Sequence, residues 1–238
     1  MIKAVTFDLW NTLISDRNYD DLRIRCLAKI LSQQNIIKDY NEISEAISAA
    51  HERAHKVWEK ENYRYVSVDE RLEYLLENLK VNLPKNLKLS IVKEFKEAIL
   101  KDPPSLVEGV QKVLESLKPD YKLGIICDTG ITPGNILRII LERAQILGFF
   151  EVTVFSDEVG YNKPHRHMFE TALKELRVET SEAIHVGDLL QTDVAGAKAM
   201  GMKAVWFNRG GLVKTDQCAP DFEVDALTQL THILKEIR

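Results

Sequence analysis

The sequence has few cysteines, few loop-forming residues and no long apolar run. Its 238 residues include 3 Cys, 11 Gly and 7 Pro, which excludes disordered, collagen-like and mucin-like chains. The cysteines, Cys26, Cys127 and Cys218, are odd in number and widely spaced, so we expect reduced thiols rather than disulfides or a structural zinc site. No apolar run approaches the ~18 residues of a membrane span, and an acid at Asp8 comes too early for a signal peptide. These absences predict a cytoplasmic protein.

An excess of positive charge is also missing. The chain has 32 Lys and Arg against 36 Asp and Glu, a net charge of −4, so it lacks the basic field that most nucleic-acid and anionic-membrane binders carry. Apolar residues make up 45% and charged residues 29%, as in ordinary globular domains. We therefore expect a small-molecule substrate, no nucleic acid and no membrane as partners, and a monomer or homodimer.

Two kinds of periodicity divide the chain. Residues 4–9 form a short apolar run with β-branched side chains, which is typical of a buried strand. Residues 20–101 carry four successive amphipathic helical patterns with no strand pattern between them. After residue 104 strand and helix patterns alternate, which predicts a parallel sheet with helices on both faces. The first strand belongs to that sheet, because alone it cannot bury its two faces.

The alternating region supplies the predicted elements of the sheet and its layers. Strands are predicted at residues 122–127, 152–155, 183–186 and 204–207, and helices at residues 110–117, 136–147, 168–176, 194–200 and 227–234. We therefore predict an α/β fold with a Rossmann-like, doubly wound parallel sheet core. The core would comprise residues 1–15 and 104–238, and an inserted helical-bundle cap would comprise residues 16–103.

Polar residues follow the predicted strands at one edge of the sheet. Ligands of open parallel sheets gather beyond the carboxyl ends of the strands, so these residues are the candidates for a functional site. Carboxylates together with one lysine suit an anion that is held by a cation and a metal. The candidates are Asp8, Cys127, Asp128, Thr129, Lys163, Asp188 and Asp193.

These candidates stand in four ordered motifs. The motifs are Phe7-Asp8-Leu9-Trp10-Asn11-Thr12-Leu13, Cys127-Asp128-Thr129, Asn162-Lys163-Pro164 and Gly187-Asp188-Leu189-Leu190-Gln191-Thr192-Asp193. Together they resemble the motifs of the haloacid dehalogenase (HAD) superfamily, and the resemblance covers the whole predicted core. The helical insertion stands where that family places its C1-type cap. The resemblance implies a HAD-like hydrolase.

The resemblance implies a catalytic role for three residues. Asp8 would be the nucleophile, because a carboxylate is ionised at neutral pH and can form a covalent intermediate that water then hydrolyses. Lys163 would neutralise the charge of a phosphate ester during that reaction. Thr12 would fix the turn that presents Asp8 to the substrate.

The resemblance also implies a divalent cation and a substrate site. Mg²⁺ prefers hard oxygen ligands, and the family pattern would supply them from Asp8, the backbone carbonyl of Trp10 and Asp188. Asp193 would be a further metal ligand or an acid that orients the others. The implied substrate-binding residues are Trp10, Cys127, Asp128, Thr129 and Lys163.

Two residues depart from the pattern of the family's phosphatases. Trp10 stands where a second Asp commonly acts as general acid and base, and an indole cannot supply that proton near pH 7. We therefore predict either a preference for good leaving groups, such as acyl or aryl phosphates, or an acid supplied by the cap. Cys127 stands where Ser or Thr usually binds the substrate anion, and a thiol is a weak donor. The backbone N–H groups of Asp128 and Thr129, or the Thr129 hydroxyl, would replace it.

Three functions remain open. A Mg²⁺-dependent phosphatase of a small phosphorylated metabolite, working through an aspartyl-phosphate, is favoured because the chain keeps both Asp188 and Asp193. A metal-independent 2-haloacid dehalogenase with Asp8 as nucleophile is the alternative, since those enzymes have an aromatic residue at the position of Trp10. A catalytically silent HAD-like binding protein would explain both departures. Candidate arginines for the carboxylate of a haloacid are Arg17, Arg23 and Arg25.

Histidines offer two further interpretations. His51 and His55 match the HExxH pattern of helical zinc proteases, but no third ligand motif follows them. We interpret them as a charged helix face near the cleft, with His55 as a candidate for the missing acid. His185 interrupts an apolar strand and is predicted to be a hydrogen-bonded core residue.

Overall fold

The computed structural model describes residues 1–212 and 218–237, and its centre is a parallel β-sheet. The strands are β1 Ala4–Phe7, β2 Lys122–Cys127, β3 Val152–Phe155, β4 Ala183–Gly187, β5 Lys203–Phe207 and β6 Phe222–Val224. Their order in the sheet is β3-β2-β1-β4-β5-β6, and these pairings are all parallel. The chain builds outward from β1 first on one side and then on the other. The predicted doubly wound sheet is therefore confirmed, with its switch point beside β1 and β4.

Helices cover both faces of the sheet. The α-helices are α1 Asp20–Gln33, α2 Tyr40–Lys60, α3 Val68–Leu79, α4 Lys85–Glu97, α5 Val110–Leu117, α6 Gly134–Arg143, α7 Ser156–Val159, α8 Arg166–Leu176, α9 Ala195–Ala199 and α10 Leu230–Glu236. Side chains alternate along β1, because successive residues of a strand point to opposite faces. Val5 and Phe7 join the core beneath α5, α6 and α10, whereas Ala4 joins the core beneath α8 and α9.

Helices α1 to α4 form a separate bundle with its own apolar core. Leu27, Ile43, Leu72 and Ile91 are buried together, one from each helix. Two of the helices begin with capping boxes, in which an N-cap side chain and a glutamate three residues later satisfy each other's backbone N–H groups. The four predicted helices of this segment are confirmed. No helix within the described ranges combines the length and apolarity needed to cross a membrane.

The helical bundle is tied to the sheet by the segment 58–65. The backbone N–H of Asn162 donates to the carbonyl oxygen of Tyr63 at 2.8 Å. The indole Nε1 of Trp58 donates to the backbone oxygen of Lys163 at 3.0 Å. The bundle therefore contacts the backbone of a predicted site residue directly. The boundaries between core and cap stay a prediction.

Element ends and one strand differ from the sequence prediction. Strand β1 ends at Phe7, so Asp8 is already in the following turn. The predicted helix at residues 194–200 begins instead with a π-helical turn, Leu190–Val194. Strand β6 was missed, because a three-residue edge strand with an exposed Glu223 gives no apolar run.

Candidate active site

A cavity of about 510 Å³ lies between the ends of the strands and the helical bundle. This volume suits a small-molecule ligand. The sheet side of the lining, which we call the acidic wall, consists of Asp8, Asp128, Lys163, Asp188 and Asp193, beside Trp10, Asn11 and Thr129. The side contributed by the bundle and its entry segment includes Asp16, Arg17, Tyr19, Asp20, Arg23, His51 and Arg71. The structure thus brings together all predicted site residues except Thr12 and Cys127.

Lys163 connects two of the predicted acids. Its Nζ lies 2.5 Å from Asp8 Oδ1 and 2.6 Å from Asp193 Oδ1, and the three side chains are almost completely buried. Burial raises the pKa of Asp8 well above its ordinary value, although Lys163 opposes that shift. Burial by itself would lower the pKa of Lys163, but the charges of Asp193 and Asp8 outweigh it and raise that pKa. A second positive charge near Asp8 would therefore favour its ionised form.

Both carboxylate oxygens of Asp193 are engaged by the protein. Oδ1 accepts from Lys163 and lies 3.2 Å from His185 Nε2, while Oδ2 accepts from the backbone N–H of Leu189 at 3.0 Å. Burial opposes ionisation of Asp193, yet Lys163 and His185 hold its pKa below the ordinary value. The second ring nitrogen of His185, Nδ1, lies 2.9 Å from Thr6 Oγ1. These contacts confirm His185 as a hydrogen-bonded core residue, and they favour an orienting role for Asp193.

Asp188 is held at the end of β4 through its backbone. The indole Nε1 of the buried Trp206 donates to the Asp188 carbonyl oxygen at 2.8 Å. Burial raises the pKa of the Asp188 carboxyl to about 6, and the charge of Asp193 adds to the shift. A Cβ at Gly187 would lie 2.2 Å from Asp193 Cγ. The glycine is therefore required for Asp193 to pack against the end of the strand.

Three carboxylates are close enough to share a cation. Asp8, Asp188 and Asp193 each offer an oxygen, and these oxygens lie within 4.8 Å of one another. Hard oxygen donors of this kind are those that Mg²⁺ prefers. The raised pKa values of Asp8 and Asp188 indicate that Lys163 alone does not balance the acids. The donor set therefore fits a divalent cation.

The motif Cys127-Asp128-Thr129 holds the backbone of Lys163 in position, and it does not present the Cys127 thiol to the cavity. Asp128 Oδ1 accepts from the backbone N–H of Lys163 at 2.8 Å, and burial raises the pKa of Asp128 to about 6. The Thr129 N–H donates to Ser156 Oγ at 3.0 Å, and the two hydroxyl oxygens are 3.1 Å apart. Cys127 is fully buried in the apolar core, where burial raises the pKa of its thiol. This position gives no support to the predicted role of Cys127 in substrate binding.

Thr12 is buried just below the cavity. Its hydroxyl has no hydrogen-bond partner among the described residues. Backbone bonds from Leu13 and Ile14 to the carbonyl oxygen of Leu9 close the turn after β1, and Asn11 adopts a left-handed conformation with φ of 55°. The turn that presents Asp8 is thus made by the backbone, and the predicted contribution of the Thr12 side chain stays a prediction.

The candidate cap arginines have different positions. Arg23 is buried at the cavity, where NH1 donates to Asp20 Oδ1 at 3.0 Å. Arg17 also lines the cavity but pairs with Asp102 at 2.8 Å. Arg25 is 75% exposed and pairs with Asp21 outside the cavity. Of the three, Arg23 has the position most suited to a ligand.

The two histidines of the HExxH pattern have different surroundings in the structure. His51 lines the cavity, and its Nδ1 lies 3.9 Å from Asp20 Oδ2. His55 is 64% exposed and its Nδ1 lies 3.7 Å from Glu59 Oε1. The prediction that His55 supplies the missing acid is therefore wrong, because the His55 side chain is not part of the cavity lining. Burial lowers the pKa of His51, which makes it a poor proton donor at pH 7.

Several residues at the site were missed by sequence reasoning. Ser156 directly follows β3 and could have been found by the rule that selected the other strand-end residues. Asn11 lies inside the first motif and lines the cavity. Arg71, Trp58 and Trp206 carry no local signal, because only the packing of distant elements brings them to the site.

Comparison with known proteins gives a consistent result. Residues 2–201 match the family model for haloacid dehalogenase-like hydrolases. A glyceraldehyde 3-phosphate phosphatase of Pyrococcus abyssi is 33% identical over 218 residues, which are 88% of this chain and 83% of that protein. The crystal structure of a HAD phosphatase from Thermococcus onnurineus shares 26% identity and a TM-score of 0.67, covering 98% of each chain. A 2-haloacid dehalogenase from Pseudomonas syringae has a TM-score of 0.76 over 100% of both chains at 24% identity, a likeness of fold alone.

Proposed function

The chain belongs to the haloacid dehalogenase-like hydrolases, and we propose that it is a Mg²⁺-dependent phosphatase of a small phosphorylated metabolite. The observation that carries the proposal is the group of three carboxylates, Asp8, Asp188 and Asp193, whose oxygens lie within 4.8 Å of one another. Lys163 pairs with Asp8 and Asp193 but forms no ion pair with Asp188, so a cation bound among the three acids would balance the remaining negative charge. The phosphatase from Pyrococcus abyssi, which aligns over most of its length, supports the same reaction class. The free cysteines fit a reducing cytoplasm, where we propose that it works as a monomer or homodimer.

The proposed reaction begins at Asp8. A carboxylate oxygen of Asp8 attacks the phosphorus, an aspartyl-phosphate forms, and the bond from phosphorus to the leaving oxygen breaks. Water then attacks the phosphorus, which releases inorganic phosphate and restores the carboxylate. Lys163, 2.5 Å from Asp8, favours the ionised form of that carboxylate against the effect of burial, and it offsets charge on the phosphoryl group. Mg²⁺, held by Asp8, Asp188 and the Trp10 carbonyl, would supply the remaining positive charge.

Trp10 determines which leaving groups are favoured. It lines the cavity at the position where a general acid would otherwise stand, and general acid catalysis contributes about 10²- to 10⁴-fold. We expect the rate on aryl phosphates to rise steeply as the pKa of the leaving phenol falls. In Trp10→Asp, that dependence should flatten and the rate on alkyl phosphates relative to aryl phosphates should rise. A wild-type rate that is independent of the leaving group would contradict this prediction.

Two other functions remain as outcomes of the decisive assay. Trp10 beside Asp8 and Arg23 on the opposite side of the cavity would also suit a dehalogenase. The assay is release of phosphate from p-nitrophenyl phosphate with Mg²⁺, with EDTA, and with Asp8→Asn. Turnover that needs the metal and is lost in Asp8→Asn supports the proposal. Chloride release from L-2-chloropropionate in EDTA would instead support a dehalogenase, and inactivity on both substrates would support a silent binding protein.

A further inference from the structure

We propose that the cavity contains a second anion site, opposite the acidic wall, so that the preferred substrates carry a phosphoryl group at one end and a carboxylate or second phosphate at the other. The site consists of Arg23, His51 and Arg71, which we call the arginine wall. The inference rests on the proposed phosphatase function and names its substrate class. It comes from charges that the phosphoryl chemistry does not use.

Charge is distributed unevenly around the cavity. The acidic wall has four aspartates and one lysine, an excess of three negative charges before a cation binds. On the side of the helical bundle, Arg17 pairs with Asp102 and Arg23 with Asp20, whereas Arg71 forms no ion pair with a carboxylate of the described residues. A substrate with a single anionic end would leave the charge of Arg71 unmatched. A second anion would complement it, because electrostatic complementarity selects among ligands.

Arg71 has unused donor capacity. Its Nε donates to the backbone oxygen of Val66 at 3.1 Å, which fixes the guanidinium at the start of α3. Within residues 1–212 and 218–237, no carboxylate forms an ion pair with Arg71, and its two terminal nitrogens have no hydrogen-bond acceptor. Those nitrogens can form the bidentate pair that guanidinium makes with carboxylate or phosphate. The arginine is therefore held in place by one nitrogen and leaves two for a ligand.

Arg23 and His51 complete the arginine wall from two other helices. Arg23 is 7% exposed and contacts Asp20 through NH1, while its Nε lies 3.4 Å from the backbone oxygen of Phe95. Burial lowers the pKa of His51, so at pH 7 its ring is a neutral hydrogen-bonding group. The three side chains thus come from α1, α2 and α3. Their convergence at one end of the cavity requires the packed bundle.

The surroundings of the arginine wall strengthen its attraction for an anion. Arg23, His51 and Arg71 also border a small hollow whose other lining is mostly apolar, including Leu75, Phe95 and Ile131. Apolar side chains behind a charged group limit its hydration, and a charge pair gains strength where water is excluded. Burial also lowers the pKa of Arg71 from its ordinary value, and the charge of the neighbouring Glu70 offsets that shift only in part. These are the conditions in which a ligand anion is held firmly.

The test uses substrate pairs that differ only in the second charge. 3-Phosphoglycerate and glycerol 3-phosphate share a three-carbon phosphoester and differ by a carboxylate in place of an alcohol. 1,3-Propanediol bisphosphate and its monophosphate make the same comparison for a second phosphate. We expect kcat/KM for at least one charged member to exceed that of its partner by about tenfold or more. The pair with the larger ratio identifies which anion the site takes.

Variants then assign the preference to the arginine wall. Arg71→Met should reduce the ratio by about 10- to 100-fold, the usual loss for one charge-assisted hydrogen bond, and Arg71→Lys should retain part of it. Arg25→Met is the matched control, because Arg25 is on α1 with Arg23 but is exposed and outside the lining. A ratio near one in the wild type, or a ratio unchanged in Arg71→Met, would overturn the proposal. Damage to folding alone would lower both rates and leave the ratio as it was.

Calorimetric binding separates this inference from the proposed function. Asp8→Asn cannot form the aspartyl-phosphate, so titrating it with 3-phosphoglycerate and glycerol 3-phosphate measures binding without turnover. Tighter binding of the carboxylate that disappears in Asp8→Asn/Arg71→Met would support the anion site even if the wild type hydrolyses nothing. Equal binding of the two compounds, with turnover of glycerol 3-phosphate, would overturn the anion site and leave the phosphatase proposal standing. The absence of both binding and turnover with every pair would overturn both.

Discussion

The acidic wall and the arginine wall of the cavity are constructed on different principles. In the acidic wall, Lys163 lies 2.5 Å from Asp8 and 2.6 Å from Asp193, and these buried groups start from the ends of adjacent strands or the loops beside them. In the arginine wall, Arg23 and Arg71 extend from helices whose apolar core is separate from that of the sheet. The difference suggests a division of labour. The sheet fixes the reacting groups, whereas the hydrogen bonds that Arg23 and Arg71 make within the described chain go to other residues of the bundle, so these two side chains can change without removing a contact of the reacting groups.

The largest expected effect comes from comparing the exchange of one carboxylate of the acidic wall with that of one carboxylate on the opposite side of the cavity. Asp8→Asn should reduce hydrolysis of p-nitrophenyl phosphate by about 10³-fold or more, because an amide is not a nucleophile. Asp16→Asn removes an exposed carboxylate from the opposite side of the cavity and should change the rate by less than about tenfold. Circular dichroism would establish that both variants fold. Equal losses in the two variants would contradict the division between the walls.

The next effect concerns stability. Lys163→Met leaves buried carboxylates without their cation, which typically costs about 3–5 kcal/mol in the free energy of unfolding. Lys198→Met is the matched control, since Lys198 is 39% exposed and pairs with Asp221 at the surface; such pairs contribute about 0–1 kcal/mol. Urea unfolding in EDTA measures both values. A loss below about 1 kcal/mol in Lys163→Met would show that the buried network is not rigidly coupled.

A smaller effect is expected from pH and metal. Burial raises the pKa of Asp128 and Asp188 to about 6, above their unfolded values of about 3.9. Between those values the folded state binds more protons, so these two groups lower the free energy of unfolding as pH rises through that window. A cation bound at Asp188 would offset this at higher pH. Mg²⁺ should therefore raise Tm by about 2–4 °C more at about pH 7.5 than at about pH 5.5.

The same measurement on a variant sharpens that prediction. Asp188→Asn removes a carboxyl whose pKa is raised and which is also a proposed metal ligand. The increase in Tm caused by Mg²⁺ should therefore depend less on pH in this variant. Asp102→Asn is the control, because Asp102 is an exposed acid paired with Arg17. A Mg²⁺ effect that is equal at the two pH values in the wild type would argue against a cation on these acids.

The smallest effect tests the contact between the helical bundle and the acidic wall. Trp58→Phe removes the indole N–H that bonds the Lys163 carbonyl oxygen at 3.0 Å, and a hydrogen bond of this kind contributes about 1 kcal/mol. We expect kcat/KM to fall by about 2- to 10-fold. Trp206→Phe removes the same kind of hydrogen bond, the one to the carbonyl oxygen of Asp188, and should affect stability more because Trp206 is fully buried. An unchanged kcat/KM in Trp58→Phe would mean that this contact does not position Lys163.

The fold was largely predictable because its signals are local. Strand β2 is apolar after Lys122 and lies between two other strands, so its predicted bounds agree with the structure. Helices α2 and α3 combine apolar periodicity with capping boxes, which mark their beginnings. Strand β6 and the π-helical turn Leu190–Val194 were missed, since the first is stabilised by a neighbouring strand and the second serves to place Asp193. Neither segment shows an apolar periodicity of its own in the sequence.

Site residues were predictable to the extent that they follow strands. Asp8, Asp128 and Asp188 come directly after β1, β2 and β4, and the parallel sheet brings these ends together. The same rule included Cys127, but this residue is the last of its strand and its side chain lies in the apolar core. A shift of one residue along a strand changes the face on which a side chain lies.

The sequence by itself determined the α/β sheet, the helical insertion and the acids at the strand ends, because apolar periodicity and strand-end position are properties of short segments. Only the tertiary structure decided that His51 rather than His55 lines the cavity, and that Arg71 meets Arg23 there. These side chains belong to three helices, and which of their faces meet depends on the packing of the whole bundle. The acids of the site are therefore encoded locally, whereas the packing of the bundle determines which side chains lie opposite them.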